Sequence, residues 1–243
     1  MSGLPGTCRI WLARGCLRPC TGGVSGLPRI SLLPVVLVLL AMLLIPAHGQ
    51  QKSARVALTD GFDYPVGKPD ATGYYKARGL RLRPPVHFGE DWNGRGGGDT
   101  DMGAPVYSIG DGVVTWAYDV RQGWGNVAII RYGYRDPASG QVRFCDALYG
   151  HLRDMTVRVG QIVKRGQQIG TIGNNRGMYA AHLHFEIRHN LSIGMHRDSV
   201  ARDMTNWADP TEFIKRYRRL NRDWGKSAMP LGTYKEYQGF KGL

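Results

Sequence analysis

Between residues 84 and 188 the chain alternates short apolar runs with glycine-rich turns. The apolar runs predict six strands, over residues 105–109, 112–118, 126–132, 142–148, 168–172 and 183–188. Gly and Asn residues between the runs predict turns. Since no segment of helical period and helix length interrupts this region, the pattern predicts an all-β core whose strands are mostly antiparallel.

One helix is predicted near the C-terminus. Asp209 can cap it, Pro210 takes its first position, and Glu212 completes an Asp-x-x-Glu capping pattern. An apolar stripe follows at helical spacing and consists of Phe213, Ile214, Tyr217 and Leu220. The opposite side is basic, so we expect this helix to pack its apolar stripe against the β core.

The predicted β domain covers residues 81–206 and has a flanking segment on each side. Residues 50–80 have few periodic apolar positions, which predicts an extended lead-in lying on the domain surface. Residues 207–243 contain the helix and a basic aromatic tail that is expected to pack back on the domain. Within the β domain, the glycine-rich stretch 93–103 predicts a loop that is mobile or sharply bent, and its two aspartates do not complete a calcium-binding loop.

Residues 1–49 have the pattern of a secretory signal peptide. Arg29 precedes an apolar core over residues 30–47, and the small residues Ala47 and Gly49 predict cleavage after Gly49. The uninterrupted core is shorter than the ~20 residues that cross a bilayer. The alternative is an uncleaved anchor, and only then do we expect membrane association. The protein is therefore expected to be exported, to the periplasm or out of the cell.

The charge balance narrows the class of partner. Lys and Arg number 32 against 19 Asp and Glu, which gives a formal net charge of +13. Residues 1–49 contain four Arg and no acidic residue, so +9 remains after cleavage. A basic protein favours an anionic partner. No Lys/Arg stripe, zinc finger or RNA-recognition signature is found, which argues against nucleic acid. Cleavage would leave only Cys145, expected in a buried strand, and so no internal disulfide.

The candidate chemistry lies in histidines. His182 and His184 stand two apart in a strand pattern and therefore share a face. His87 and Asp91 are four apart on a segment whose prolines and glycine argue against a helix, so they also share a face. His151 follows a glycine at a strand end. Taken singly, His182 and His184 are equally compatible with two surface histidines, and His87 and Asp91 are more typical of a hydrogen-bonded pair. His151 alone carries almost no signal.

Together, the motifs indicate a metal site. Three protein ligands with an open fourth position define a catalytic zinc, which lowers the pKa of a bound water and polarises a carbonyl. The chain lacks His-Glu-x-x-His, so no glutamate base on a helix is available. Spare histidines therefore have to move the protons. We expect one zinc ion per chain.

The order of these motifs resembles the lysostaphin-type zinc metallopeptidases. His-x-Gly-x-Asp at 87–91, Tyr-x-His-Leu at 149–152 and His-Leu-His-Phe-Glu at 182–186 follow one another as in that family. Residues 103–106 and 160–170 are also similar to it. The resemblance covers residues 84–188 and implies a β-sandwich-like barrel built from a duplicated hybrid motif.

The resemblance also implies a role for each residue. His87, Asp91 and His184 correspond to the zinc ligands. His151 and His182 correspond to the residues that flank the zinc-bound water, as general base and as stabilisers of the tetrahedral intermediate. The implied reaction is hydrolysis of peptide crosslinks in bacterial peptidoglycan. Which crosslink is cut stays open, as does whether residues 50–80 cover the site as a latency strap.

Two alternatives share the implied fold. One is a non-catalytic module that binds peptidoglycan or activates another hydrolase; such relatives have typically lost metal ligands, whereas this chain keeps all five positions. The other is a sugar phosphocarrier, which needs paired histidines in the cytoplasm and is opposed by the export signal. The sequence favours an exported zinc endopeptidase whose partner is peptidoglycan, and we assume that it is a monomer.

Overall fold

Antiparallel strands account for most of the fold, as the apolar pattern predicted. The computed structural model describes residues 53–237. Their strands are β1 (Ser53–Ala57), β2 (Tyr74–Arg78), β3 (Glu90–Gly94), β4 (Pro105–Tyr107), β5 (Gly112–Asp119), β6 (Asn126–Arg135), β7 (Val142–Met155), β8 (Ile162–Val163), β9 (Gln168–Ile172), β10 (Leu183–Arg188), β11 (Trp207–Ala208) and β12 (Lys226–Pro230). One α-helix, α1 (Pro210–Arg216), forms within these residues. The predicted all-β class with a C-terminal helix is confirmed.

Ten of the strands belong to one sheet. Its main path runs β2-β3-β10-β7-β6-β5-β8, β11 pairs with β10, and β4 pairs with β9. The longest strand, β7, pairs with β6 and β10 and then meets β9 through Leu152 and Met155. The path places β3, β10 and the C-terminal half of β7 side by side. These strands contain Asp91, His184 and His151, and His87 and His182 lie just before β3 and β10.

The main apolar core joins the sheet to α1. Phe213 and Ile214 of the helix are buried in the same cluster as Ile130 of β6 and Ile187 of β10. The carboxylate of Asp209 accepts a hydrogen bond from the backbone N–H of Glu212 at 2.9 Å, and Pro210 opens the helix. The predicted cap and apolar stripe therefore position α1, although the helix ends before Leu220.

Two of the strands beside the site carried no strand signal. β3 has the sequence Glu-Asp-Trp-Asn-Gly, and its carboxylates Glu90 and Asp91 are buried. Such a polar strand lacks the alternation of apolar and polar positions on which strand prediction depends. Neither does the exposed strand β2 show this alternation. Elsewhere the predictions were closer: β9 and β10 have the predicted bounds, while β7 continues seven residues past its predicted end.

The lead-in over residues 50–80 is not a strap on the surface. Phe62 and Val66 are completely buried in the main core. β1 pairs with β12, with Ser53 opposite Pro230, and β2 pairs with β3. The prediction was wrong because single, widely spaced apolar residues anchor this segment, and such residues leave no periodic signal.

The predicted signal segment lies outside the described residues, as do Phe240 and the cysteines that precede Cys145. Within residues 53–237 no helix combines the length and apolarity needed to cross a membrane. Cys145 is fully buried in β7, as expected of a small apolar side chain.

Candidate metal centre and active site

Three of the predicted residues form a tight cluster at the junction of β3 and β10. The strand register places His184 opposite Asp91, and His87 lies just before β3, where it bridges to Arg81. Nε2 of His87 is 3.0 Å from Oδ1 of Asp91, and Nδ1 of His184 is 2.9 Å from the same oxygen. The two ring nitrogens are 3.2 Å apart. All three side chains are buried.

Each of the imidazoles of His87 and His184 has an outer nitrogen, which faces away from Asp91. The hydrogen bond made by this nitrogen determines the tautomer of the ring. Nδ1 of His87 lies 2.9 Å from the carbonyl oxygen of Gly79, and Nε2 of His184 lies 2.9 Å from Oε1 of Glu186. A carbonyl and an ionised carboxylate only accept hydrogen bonds, so both outer nitrogens carry a proton. In neutral rings the inner nitrogens then present lone pairs. Together with Asp91, three acceptor atoms converge, and this outer-nitrogen pattern is typical of metal-binding histidines.

Zinc fits the size of this triangle. Four ligands at about 2.0–2.1 Å in a tetrahedron are about 3.3–3.4 Å from one another. The observed sides of 2.9, 3.0 and 3.2 Å need to open by only a few tenths of an ångström. Two imidazoles and one carboxylate are suitable zinc donors. They leave a fourth coordination position for water or substrate.

The groups around the cluster keep its carboxylates ionised. Burial opposes ionisation of Asp91, but hydrogen bonds from His184 and His87 hold the pKa of its carboxyl well below the usual range. Burial also opposes a positive His184, yet its bonds to Asp91 and Glu186 raise its pKa. Glu186 is itself fully buried, and the positive charge of Arg188 holds the pKa of its carboxyl low. Two ionised carboxylates therefore flank His184.

His151 and His182 lie beside the cluster. Their ring centroids are 4.9 Å apart, and that of His151 is 5.6 Å from that of His184. Nδ1 of His151 is 3.1 Å from the carbonyl oxygen of Trp124, and Nδ1 of His182 is 2.8 Å from that of Ala180. Each Nδ1 therefore carries a proton, which leaves Nε2 able to accept one. Burial and the charges of His184 and His182 lower the pKa of His151 to about 3, so its ring is neutral near pH 7.

The local backbone around His151 is unusual for a strand. His151 has a φ of +62°, a region that few residues other than glycine adopt. Its backbone N–H donates to the carbonyl of Trp124 at 3.0 Å, so the same oxygen serves both the backbone and the ring. A Cβ atom on Gly150 would lie 3.1 Å from the Trp124 ring, so glycine is needed there for the indole to approach. This arrangement turns the His151 ring towards His182 and His184.

All five predicted residues line one open cavity of about 610 Å³. Its walls come from elements that are distant in sequence: Arg78 from β2, Trp124 from the β5–β6 turn, Tyr179 from the segment before β10, and Arg197 from the 3-10 turn Arg197–Ser199. The cavity is therefore large enough to admit a peptide to the cluster.

Sequence reasoning missed several residues that support the cluster. Glu186 has a recognisable signal, because the i, i+2 rule that pairs His182 with His184 also places Glu186 on that face. The hydroxyl of Tyr179 donates to the carbonyl oxygen of Gly123 at 2.7 Å and contacts Nδ1 of His151. Tyr179, like Trp124, comes from a turn whose position only the tertiary fold sets, so no local pattern could identify it.

The glycine-rich loop is sharply bent and is tied to the site. Gly97 and Gly98 have positive φ angles. Asp99 accepts from the backbone N–H of Ala181 at 2.7 Å, and Asp101 accepts from that of Gly94 at 2.7 Å. The carboxylates of both aspartates thus accept hydrogen bonds from backbone amides. Through Ala181 the loop supports the segment that presents His182.

The segment that carries the cluster has known relatives. Residues 85–194 match the profile described as Peptidase family M23. The peptidoglycan DD-endopeptidase ShyA of Vibrio cholerae is 36% identical over 86 residues, which are 35% of this chain and 18% of that protein. The murein hydrolase activator NlpD of Escherichia coli is 36% identical over 104 residues, which are 42% of this chain and 25% of that protein. The matches thus span a quarter or less of these two relatives.

A solved structure is also similar. The crystal structure of a zinc-containing peptidase from Vibrio cholerae matches with a TM-score of 0.42 and 28% identity, over 62% of this chain and 39% of that one.

Proposed function

We propose that the chain is an exported zinc metalloendopeptidase that hydrolyses peptide crosslinks of bacterial peptidoglycan, since its residues 85–194 match the profile of Peptidase family M23. One observation carries the proposal. Three acceptor atoms converge at 2.9–3.2 Å, and two further histidines lie beside them in an open cavity. The proposed peptidase unit is residues 81–206.

In this proposal His87, Asp91 and His184 hold one zinc ion. When bound, zinc supplies Lewis acidity, which polarises a peptide carbonyl and lowers the pKa of a water molecule. His151 is neutral near pH 7 and can accept a proton at Nε2. His182 presents a second Nε2, 3.9 Å from Oδ1 of Asp91, which can donate a hydrogen bond when protonated. The two rings exchange these roles easily, so their order in the reaction stays open.

Charge and sequence pattern support the proposed substrate and location. After cleavage at Gly49 the chain keeps a net charge of +9, which favours binding to an anionic wall. The apolar segment before residue 49 supports export. A relative named as a peptidoglycan DD-endopeptidase is 36% identical to this chain over 86 residues. These observations support peptide bonds of the wall as the target.

The competing proposal is a hydrolase-activating module, since another relative is named a murein hydrolase activator. Such a module needs neither a metal nor free histidines. Here two imidazoles and a carboxylate converge beside two further imidazoles, a donor set that suits a zinc ion. We therefore favour the enzyme.

The test measures metal content and turnover together. The full chain is exported from a host cell, the processed form is purified, and bound zinc is measured by inductively coupled plasma mass spectrometry. Purified sacculi are then digested, and new amino termini are identified by mass spectrometry. We expect about one zinc per chain and turnover that a chelator abolishes and zinc restores. The same spectra identify the bond that is cut.

Variants make the assignment specific. His184→Ala should lose both zinc and turnover. His189→Ala is the matched control, because His189 is an exposed residue that directly follows β10 and does not line the cavity. Wild-type turnover in His184→Ala would refute the zinc assignment. Stoichiometric zinc without turnover on several wall types would favour the activating module.

A further inference from the structure

Arg197 is a cation in the cavity wall that the proposed zinc chemistry does not use. Its guanidinium carbon lies 4.2 Å from the ring centroid of Trp124 and 4.9 Å from that of Phe88. Nη1 donates to Oε1 of Glu186 at 3.3 Å. The aromatic rings and Glu186 thus hold the planar group in a fixed orientation. The side chain is 26% exposed and lines the cavity.

Most donors of this guanidinium have no protein partner. A guanidinium has five N–H groups, and within residues 53–237 the single hydrogen bond of Arg197 is the one to Glu186. None of its remaining nitrogens is both buried and unpaired. They are therefore accessible to a ligand in the cavity.

The charge of Arg197 is only partly compensated. Glu186 also pairs with Arg188, whose Nε lies 2.8 Å from Oε2, so two guanidinium groups share one carboxylate. Asp198 is the next residue, but its side chain is 87% exposed and is therefore screened by solvent. Of the described residues that line the cavity, Asp91 alone is acidic, and His87 and His184 already engage it. An anionic group on a ligand would compensate the remaining positive charge of Arg197.

Arg197 is close enough to the metal cluster to contact the same peptide. Its guanidinium carbon is 4.2 Å from the Trp124 ring centroid, which is 5.5 Å from that of His184. The guanidinium carbon is therefore at most about 10 Å from the His184 ring. An extended peptide spans about 3.3–3.6 Å per residue. A group within about three residues of the scissile bond can thus reach Arg197.

We propose that Arg197 binds a free carboxylate of the peptide substrate within about three residues of the scissile bond, and that the enzyme therefore prefers crosslinks in which this carboxylate is not amidated. The proposal rests on the proposed peptidase function and names its substrate class. The planar fork of Arg197 can form two parallel hydrogen bonds with a carboxylate. A carboxamide would place its NH₂ group against one of these donors.

The test compares matched peptides. Synthetic crosslinked peptides place one carboxylate one, two or three residues from the scissile bond, and each has a twin that differs only in having a carboxamide there. The processed, zinc-loaded protein is used. For at least one position, we expect kcat/KM to be about 10- to 100-fold higher for the carboxylate peptide than for its twin. This comparison requires no variant and so does not depend on how a variant folds.

Variants then attribute the preference to Arg197. Arg197→Gln should lower kcat/KM for the carboxylate peptide to the level of its twin, leave the twin within threefold of wild type, and keep one zinc per chain. Arg197→Lys should retain an intermediate preference, because it keeps the charge without the fork. Arg202→Ala should retain the full preference. It is the matched control, since Arg202 also lies near Phe88, at 5.8 Å, and does not line the cavity.

The outcomes separate this proposal from the proposed function. If the wild type cleaves every pair of twins equally well, the role of Arg197 is wrong and the peptidase function stands. If Arg197→Gln loses zinc and both activities alike, Arg197 only supports Glu186, and the carboxylate proposal is again overturned. If the zinc-loaded wild type cleaves no peptide and no sacculi, the peptidase function itself fails, and this proposal fails with it.

Discussion

Glu186 is a fully buried carboxylate on β10 that contacts both His184 and the arginines behind it. Oε1 accepts from Nε2 of His184 at 2.9 Å, and Oε2 accepts from Nε of Arg188 at 2.8 Å. The substitution Glu186→Gln keeps the size of the side chain and removes its charge. The amide oxygen can still accept from one of these donors, but the amide NH₂ then faces the other. One hydrogen bond is therefore replaced by a contact between two donors.

Two effects of Glu186→Gln are expected. Loss of the carboxylate behind a metal-binding imidazole should weaken zinc binding about 10- to 100-fold, which corresponds to roughly 1.4–2.7 kcal/mol. The unfolding free energy of the metal-free protein should fall by about 3–5 kcal/mol, because the buried guanidinium of Arg188 loses its counter-charge. The first effect reports on the site, and the second reports on the fold.

Both effects can be measured on the same preparations. The zinc Kd is obtained by competition with a chromophoric chelator, and the unfolding free energy is obtained from urea titration of metal-free protein. Glu212→Gln is the control, since Glu212 is 69% exposed and its side chain pairs, among residues 53–237, only with Lys215. It should leave the zinc Kd unchanged and cost less than about 1 kcal/mol. Zinc binding by Glu186→Gln within threefold of wild type would refute the orienting role argued for Glu186.

Three further predictions concern the fold and its charges. Arg131→Met should lower the unfolding free energy in urea by about 3–5 kcal/mol, because Asp146, bonded to Arg131 at 2.6 and 2.8 Å, stays buried without its partner; Arg131→Met combined with Asp146→Leu should recover part of this loss. In the metal-free protein the pKa of His151 is about 3, against roughly 6.5 when unfolded. The unfolded state thus binds the proton first, and stability falls as the pH drops from about 6.5 towards 3, by at most about 1.4 kcal/mol per pH unit. His151→Asn, in which asparagine tolerates the positive φ, should reduce this loss of stability at low pH, measured by urea titration at several pH values. An unchanged dependence of the unfolding free energy on pH would contradict the assignment of this effect to His151. Stoichiometric zinc should raise the Tm of the wild type, but not that of His184→Ala, in scanning calorimetry.

The cluster of His87, Asp91 and His184 was predictable in part, because local rules pair its residues with their neighbours in the sequence. His182 and His184 share a face since strand side chains alternate, and the apolar run around them marks the strand. The same rule was applied to His87 and Asp91 once prolines and a glycine had excluded a helix, and the two side chains do meet, although His87 lies before β3. What no local rule supplied is the pairing of β3 with β10, which sets His184 opposite Asp91. The order of motifs along the chain suggested that convergence through family resemblance alone.

The cavity walls were not predictable in the same way. Trp124 and Arg197 lie in turns, and their value to the site comes from contacts with residues far away in sequence, such as His151 and Glu186. The amino-acid composition indicates that these segments are turns. It does not indicate which strands the turns contact in the folded protein. β3 shows the opposite failure: no strand was predicted over its residues, and its Glu90 is buried, where it pairs with Lys76 at 2.9 Å.

The lead-in bears directly on whether the proposed enzyme is latent. Phe62 contacts Tyr134 and Phe213 edge-on in the core, with ring centroids 5.6 and 5.1 Å away, and losing such a side chain costs about 3–5 kcal/mol. At the other end, Arg78 of β2 lines the cavity and lies 3.5 Å from Oδ2 of Asp91. Deleting residues 50–80 would therefore disrupt the core and one cavity wall together. A latency role is better tested by Arg78→Ala, because Arg78 lines the cavity, its side chain is 60% exposed and it does not pack in the main core.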